Sequence, residues 1–520
     1  MMLLTHIAIA CIVLSASLAA AEPERKPHVL FVVFDDLNTW IEPIGEYPDV
    51  KTPHFKRLAR RGVTFRQAHC QAPICAPSRV SFLGGLRPST TGEYSLASTL
   101  HDHPTYGTGK HKPIHQSFKQ SGYTTASAGK VFHAAKPEFS AIRKFIDHIP
   151  SGMSYNYSGT PDKKLTDPAI SGSHPLVDWG VFPEKDADTF DYQTVSWAIE
   201  HIREMASDRS RPFFFTVGIS RPHVPLFATQ AWFDLYPLSP KRSFARPFYD
   251  PNDFDDIPRF ARYLHWKLPE PRTETLIQAG EWDNHTQAYL ACVSYADAMF
   301  GRLLDALEDP NSDGEHEDSI IDHTIIVLLS DHGYHLGEKG LTAKTTLWDR
   351  ATRVPLIISA PDLSRNRTCT QPVELLDLYP TLLDLCGLPP YAPLEGISLR
   401  PLLEQPDHAA VRRPAITTHG MNNHSIVDAT HRYIRYADGS EEIYDQAADP
   451  NESTNLIMIP KYREIANRLA THIPALNVPP QKHETTRIAT VEENHILHWE
   501  GRPIIDPETS GNPVTIKPTP

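Results

Sequence analysis

The sequence predicts an α/β fold: one large, mainly parallel sheet flanked by helices, followed by a smaller C-terminal subdomain with a short antiparallel sheet. Three observations predict it. Four stretches are apolar at consecutive positions, as strands covered on both faces must be. Segments with helical periodicity lie between them, the alternation expected of a parallel sheet. From about Arg413 the texture changes to short alternating segments and one amphipathic helix.

The elements follow in order. Residues 1–21 form an apolar leader, with a core from about Ile7 to Leu18 and then Ala19-Ala20-Ala21, a small-residue cleavage pattern too short to span a bilayer comfortably. A removed signal peptide is expected, with a retained membrane anchor as the main alternative, and with removal an exported mature chain: periplasmic, extracellular or in a lysosome-like lumen. No stable membrane insertion is expected, since no later stretch reads as a transmembrane helix. HVLFVVFDDL, from His28, is a buried strand ending in Asp35 and Asp36. TPHFKRLARRGVTF is expected as a short helix stopped at Gly62. Buried strands are expected at Pro212–Ser220, Thr324–Gly333 and Val354–Pro361. A long helix carries Tyr289, Val293, Phe300, Leu303, Leu304 and Leu307 on one stripe and ends at Asp309-Pro310. VELLDLYPTLLDLCGLPP is helical with an interruption near Pro380. Short strands follow from AITTHG, with an Asp-Gly hairpin in YADGSEEIY, then the helix KYREIANRLATHI. The Pro-rich tail reads as irregular. The expected divisions are 1–21, a main α/β domain over 27–400, a subdomain over 401–480 and a tail over 481–520.

Composition narrows the function. The 520 residues are 40% apolar and 22% charged, as in ordinary globular proteins. Proline is high, at 47 of 520, or about 9% against a usual ~5%, which predicts long ordered loops. The net charge of −13 excludes nucleic acid as a general partner. An anionic small substrate would need a local cluster of Arg, Lys and His. Of the six cysteines, Cys11 leaves with the leader, and the remaining Cys70, Cys75, Cys292, Cys369 and Cys386 are too few for a disulfide framework.

In open α/β sheets, ligands bind beyond the carboxyl ends of the strands. Asp35-Asp36 and Asp331-His332 both lie at such ends. Adjacent acids converge only where something cationic offsets their repulsion, and a hard divalent cation would do so. Each pair read alone could equally be a solvated loop or a helix cap. Cys75 stands in QAPICAPSRVSFLGGLRP, four residues before Arg79. A lone cysteine is more often core filler than nucleophile or ligand. Here, however, the pattern is Cys-x-Pro-Ser-Arg followed by LGGLRP.

With that motif the chain resembles the type I sulfatases. DDLN, SAGKVFH, FFFTVGISRPHVP, SDHGYHLGEKG, ATRVPLIISAP and EEIYDQAADPNESTNL come in the order found in that family, from about His28 to about Leu456. GKVFH, RPHVP and DHGYHLGE resemble its iduronate-2-sulfatase-like branch most. The resemblance implies an alkaline-phosphatase-like sandwich, and it implies that Cys75 is oxidised to Cα-formylglycine by a formylglycine-generating enzyme. Asp35, Asp36, position 75, Asp331 and His332 would surround a calcium ion, with magnesium the second choice. Many relatives carry Asn in place of His332, and the iduronate-like branch shares the His. Arg79 would hold the formylglycine hydrate and the metal-linked carboxylates. Lys130 and Lys344 would bind sulfate. His133 would act as the base that releases sulfate. His223 would touch the substrate and protonate the leaving alcohol. Lys130 and His133 would share a face if their turn is helical.

The activity so implied is hydrolysis of a sulfate ester on a sulfated sugar or polysaccharide, including a 2-O-sulfated uronic acid. The alternatives are a same-fold phosphodiesterase or phosphonate hydrolase, and a non-catalytic polyanion binder, which predicts gaps among the catalytic positions. The stretches from Pro150 to Pro183 and from Phe244 to Trp282 are expected to carry specificity. His101-Asp102-His103 is expected as a surface or substrate-facing loop rather than a metal site, and His335 as either a substrate contact or a loop hydrogen-bonder.

Overall fold

A computed structural model describes residues 26–96, 104–107, 111–133, 144–150, 160–208, 210–407, 413–480, 486–492, 495–508 and 511–516. In chain order the strands are β1 (His28–Asp35), β2 (Val63–His69), β3 (Thr124–Gly129), β4 (Trp179–Val181), β5 (Phe213–Pro222), β6 (Leu226–Ala228), β7 (Thr324–Ser330), β8 (Arg353–Ser359) and β9 (Arg367–Glu374). Seven of them form the main sheet, in the order β3-β5-β1-β7-β8-β2-β9. All run the same way except β8, which is antiparallel to both β7 and β2. β4 and β6 form a separate short parallel pair.

The sheet is the middle of three layers, and β1 shows why its sequence is uninterrupted. Leu30, Val32 and Phe34 face one apolar cluster, which holds the stripe of the helix Trp282–Glu308 and Val195, Ala198 and Ile202 of the helix Phe190–Ser207. Val29, Phe31 and Val33 face the other, with Val80 and Phe82 of the helix Cys75–Gly84 and Leu378 and Leu382 of the helix Leu378–Leu385. Each fully buried side chain of this kind contributes about 1.5–3 kcal/mol.

The predicted strands at His28, Pro212, Thr324 and Val354 all form, as does the long helix, which ends before Asp309. Several expectations need correction. The first helix ends at Ala59 with Arg60 as its cap, so Gly62 is not its stop. A Cβ at Gly62 would lie 2.1 Å from the Ile358 carbonyl oxygen; glycine is there so that β2 can approach β8. Pro380 does not interrupt its helix. It lies in the first turn of Leu378–Leu385, where the missing N–H has no intrahelical partner to lose.

The C-terminal part holds a four-stranded antiparallel sheet of β10 (Ala415–Thr418), β11 (His424–Val427), β12 (His431–Arg435) and β13 (Glu441–Asp445). The Asp438-Gly439 turn joins β12 to β13, with Gly439 at φ 84°. The helix Pro460–Ala470 covers this sheet through Ala466 and Leu469. Fully buried Arg432 ties it to the main sheet, donating to Asp349 at 2.8 Å and pairing with Glu452. The tail is not wholly irregular: β14 (Ala489–Val491), β15 (Leu497–Trp499) and β16 (Arg502–Pro503) form a small sheet. Its Leu497 and Trp499 pack on Leu341, Leu347 and Trp348. No helix among the described residues is long and apolar enough to cross a membrane, and residues 1–25, with the expected leader, lie outside the described residues.

Candidate active site

Four parallel strands deliver polar side chains to one end of the sheet. Asp35 ends β1, and Asp36 follows in the left-handed region at φ 65°, a conformation a non-glycine residue adopts only when its surroundings hold it. The Tyr289 hydroxyl supplies that hold: it donates to the Asp36 carbonyl at 2.8 Å and accepts from the Asn38 amide at 2.9 Å. Asp331 follows β7, and its amide donates to the Phe34 carbonyl at 3.0 Å, joining the two strand ends. Its Oδ1 accepts from the His332 amide at 3.0 Å. Ser330 completes the splice, its Oγ accepting from the Leu37 amide at 3.0 Å and donating to the His332 carbonyl at 2.8 Å.

Cys75 opens the helix Cys75–Gly84 and is buried. Its Sγ lies 3.3 Å from Asp35 Oδ1, 3.2 Å from His332 Nε2 and 3.1 Å from Lys344 Nζ. One turn along, the Ser78 hydroxyl donates to the Asp331 carbonyl. Arg79 Nε donates to Asp331 Oδ2 at 2.8 Å, its Nη2 lies 3.8 Å from Asp35 Oδ1, and its Nη1 donates to the Lys130 and Val131 carbonyls. The helix therefore aims two consecutive turns at the same pair of carboxylates.

Lys130 follows β3 and pairs with Asp35. Gly218 of β5 makes room for it, since a Cβ there would lie 2.1 Å from the Lys130 carbonyl carbon. Residues 130–132 form bends rather than a helical turn, so the condition for a helical face shared by Lys130 and His133 is not met. His133 is nonetheless half-buried at the site, and it is held near 3 by burial and by the charges of Lys130, Arg79 and Lys344. His223 follows β5, with Nδ1 2.6 Å from the Val224 carbonyl and Nε2 4.0 Å from Asp36 Oδ2. A carbonyl only accepts, so Nδ1 carries the hydrogen and Nε2 faces the carboxylates. Lys344 donates to Asp36 Oδ1 at 2.6 Å. The structure thus brings Asp35, Asp36, Cys75, Arg79, Lys130, His133, His223, Asp331, His332 and Lys344 into one locus.

The electrostatics of this locus suit a cation. Burial pushes Asp36 up to about 6, with Asp35 adding to the rise and Lys344 opposing it. Burial likewise pushes Asp331 up to about 7, against Arg79 and with Asp35. Asp35 is held well below the carboxylate range, because Lys130, His223, Lys344 and Arg79 together outweigh its burial. Three carboxylates in so little space cannot all ionise without further positive charge. Asp35, Cys75, Asp331 and His332 present ligand atoms all within 4.8 Å of one another, as do Asp35, Asp36, Cys75 and His223. His332 is neutral through burial and the charge of Lys344, and its Nδ1 sits 3.0 Å from the Gly333 carbonyl, which leaves the Nε2 lone pair toward the cluster. Asp36 Oδ2 is buried without a hydrogen-bond partner among the described residues. The donor set fits a divalent cation with mainly oxygen ligands. As a thiol, Cys75 is pushed up to about 12 by burial and Asp35, so it is not a thiolate at neutral pH.

Some functional neighbours left no mark in the sequence. Tyr289 reads there as one apolar member of a helical stripe, and Ser330 as an ordinary serine. His335 is a loop hydrogen-bonder: its amide donates to the Ala343 carbonyl and its Nε2 lies 2.8 Å from Thr346 Oγ1, bracing the loop that carries Lys344. His101-Asp102-His103 lies outside the described residues. The five cysteines from Cys70 on are all buried.

Residues 27–388 match the family model described as Sulfatase, and residues 337–478 match that described as N-sulphoglucosamine sulphohydrolase, C-terminal. The chain belongs to the sulfatase family. It is 40% identical over 462 residues to a sulfatase of Formosa agariphila, covering 87% of each chain. It is 32% identical over 435 residues to human iduronate 2-sulfatase, covering 74% of each, and its branch is the iduronate-2-sulfatase-like one. This sulfatase is a sulfuric ester hydrolase. Among solved structures, the fold is shared with a protein bound to its substrate D-glucosamine-2-N,6-O-disulfate (TM-score 0.65, 21% identity, 86% of this chain and 96% of that one). It is shared as well with a phosphonate monoester hydrolase from Silicibacter pomeroyi (TM-score 0.68, 20% identity, 90% and 98%).

Proposed function

We propose that this sulfatase removes an O-sulfate group from a sulfated sugar or polysaccharide, with a 2-O-sulfated uronic acid as the first candidate, and that position 75 works as a formylglycine. One observation carries the reading. The Cys75 thiol, unreactive through burial and Asp35, lies at the point where Asp35, His332 and Lys344 converge. A site this elaborate around an inert thiol makes sense if Sγ stands where the oxygens of an aldehyde hydrate will be.

The chemistry then follows from the residues. One hydroxyl of the hydrate attacks sulfur, and the bond from sulfur to the alcohol oxygen breaks. His223, with Nε2 toward the site, delivers a proton to that oxygen. Burial, and after it the positive charges of Lys130 and Lys344, hold His223 neutral, and an anionic sulfate ester between the two lysines would offset their part of that effect. His133, neutral and half-buried, takes the proton of the second hydroxyl. The C=O bond re-forms, the bond from that carbon to the sulfate oxygen breaks, and water rehydrates the aldehyde. This splits one hard displacement into two easier steps. Lys130 and Lys344 hold the sulfate oxygens, and Arg79 fixes Asp331 and the helix that carries position 75. Asp35, Asp36, Asp331 and His332 would hold calcium, or magnesium in second place, which would supply charge to neutralise the carboxylates and polarise the ester. Maturation would require a formylglycine-generating enzyme, and the apolar leader supports export.

The second reading, a phosphodiesterase or phosphonate hydrolase, is favoured by the shared fold of the Silicibacter pomeroyi enzyme. Both substrate classes are monoanions, so turnover decides. The sulfatase reading expects kcat/KM for a sulfated uronic acid to exceed that for a phosphate diester by orders of magnitude. The reverse order would overturn it.

A further inference from the structure

Arg487, at the edge of the small C-terminal sheet, comes from a stretch that looked featureless in the sequence. Its Nη1 donates to Glu270 Oε1 at 2.9 Å, and among the described residues its guanidinium has no other hydrogen-bond partner. Its backbone is left-handed at φ 56°, and its amide is tied to Glu500 Oε1 at 2.9 Å. Non-glycine residues in that region are held there by their surroundings, and they cluster at functional sites. Glu270 is buried, with its side chain 2% exposed, and its Oε2 has no donor among the described residues. The next residue, Pro271, accepts from Thr342 Oγ1 at 2.5 Å, two positions before Lys344. The pair therefore abuts the loop that brings Lys344 to Cys75.

The pair lies within electrostatic reach of the ester site. Burial disfavours the Arg487 cation, and Glu270 first, then Cys75 and Asp36, more than restore it. Glu270 in turn lies in the field of Lys344. His174 lies in the fields of both Arg487 and Glu270. His174 belongs to the stretch Pro150–Pro183 and Glu270 to Phe244–Trp282, so residues of both regions expected to carry specificity come within electrostatic reach of a residue of the tail.

We infer that Arg487, held by Glu270, is a specificity-determining residue that receives a carboxylate on the sugar bearing the sulfate. Its planar fork has donors beyond the one given to Glu270, and a carboxylate is what such a fork binds in bidentate fashion. The unused Glu270 oxygen would accept from a neighbouring sugar hydroxyl. This rests on the sulfatase reading above, and it deepens it by naming the second anionic group of the substrate.

The test uses the full-length, formylglycine-bearing enzyme and three esters: a 2-O-sulfated hexuronic acid glycoside, its carboxyl methyl ester, and an aryl sulfate. The wild type should favour the free acid over the methyl ester. In Arg487→Ala that preference should shrink by roughly 10- to 100-fold, mostly through KM. Arg487→Lys keeps the charge that Glu270 needs, so the tail stays docked, and should recover part of the preference. Equal losses on acid and methyl ester in both variants would mean that Arg487 only clamps the tail, and would overturn the inference. A wild type that cleaves aryl sulfate but shows no preference for the acid would overturn it while leaving the sulfatase reading standing. A wild type inactive on all three would overturn both.

Discussion

At the scale of single residues, position 75 carries the account. Cys75→Ser keeps size and polarity but offers one hydroxyl instead of two. It should fold normally and accept sulfate once. With no second hydroxyl to expel the group, turnover should fall by on the order of a thousandfold or more. Intact mass spectrometry should find a sulfated serine, and near-normal turnover would contradict the mechanism. The metal cluster has its own check. Chelation should abolish activity and lower Tm, and calcium should restore both, because a ligand at 100 times its Kd adds about 2.7 kcal/mol to stability. Much of this scale was legible in the sequence, because Asp35, Asp36, Asp331 and His332 sit at strand ends and Cys75 and Arg79 sit in a recognisable pattern. Tyr289 was not legible as a prop for Asp36: a tyrosine on an apolar stripe looks the same whether or not its hydroxyl serves a neighbouring turn.

At the scale of elements, two predictions follow from how strands and loops approach one another. Gly218→Ala would put a Cβ about 2.1 Å from the Lys130 carbonyl carbon, so the Lys130–His133 turn must shift. Overpacking of this kind costs about 1–3 kcal/mol, and activity should fall further than Tm suggests. Glu46 pairs with Arg353 at 2.6 Å and Arg350 at 3.0 Å, joining the segment after β1 to the start of β8. Burial alone would raise its pKa, but Arg353 and Arg350 overcome this and hold it near 2, below the ordinary 4.5 of a glutamate. Its folded pKa is depressed, so its contribution to stability is complete above about pH 4.5 and disappears as pH falls toward 2. In denaturant titrations, Glu46→Gln should lower the midpoint at pH 7 and flatten its decline between those pH values. A wild-type decline retained by the variant would contradict this. The central strands were readable because both faces are buried. β2, β3 and β9 were not: β3 (TTASAG) has small, polar residues, and the edge strand β9 (RTCTQPVE) is half exposed and contains Pro372.

At the scale of the molecule, the C-terminal sheet and tail complete the catalytic domain. Fully buried Arg432 links Asp349 and Glu452 across the junction. Removing it would leave buried Glu452 without its ion-pair partner, so Arg432→Ala should cost about 3–5 kcal/mol, seen as a large drop in Tm or a split calorimetric transition. An unchanged melt would mean that the junction does not depend on this contact. The sandwich was legible from its runs of apolar residues. The tail's sheet was not, because its strands are two or three residues long and bury Leu497 and Trp499 in a cluster that includes Leu341, Leu347 and Trp348, about 150 residues earlier in the sequence. The central claim is that position 75 is a formylglycine, and one measurement tests it most directly: mass spectrometry of the tryptic peptide Gln67–Arg79 from enzyme that turns over a sulfate ester. The account predicts an aldehyde at position 75 and a thiol at Cys70. An unmodified Cys75 in fully active protein would contradict it.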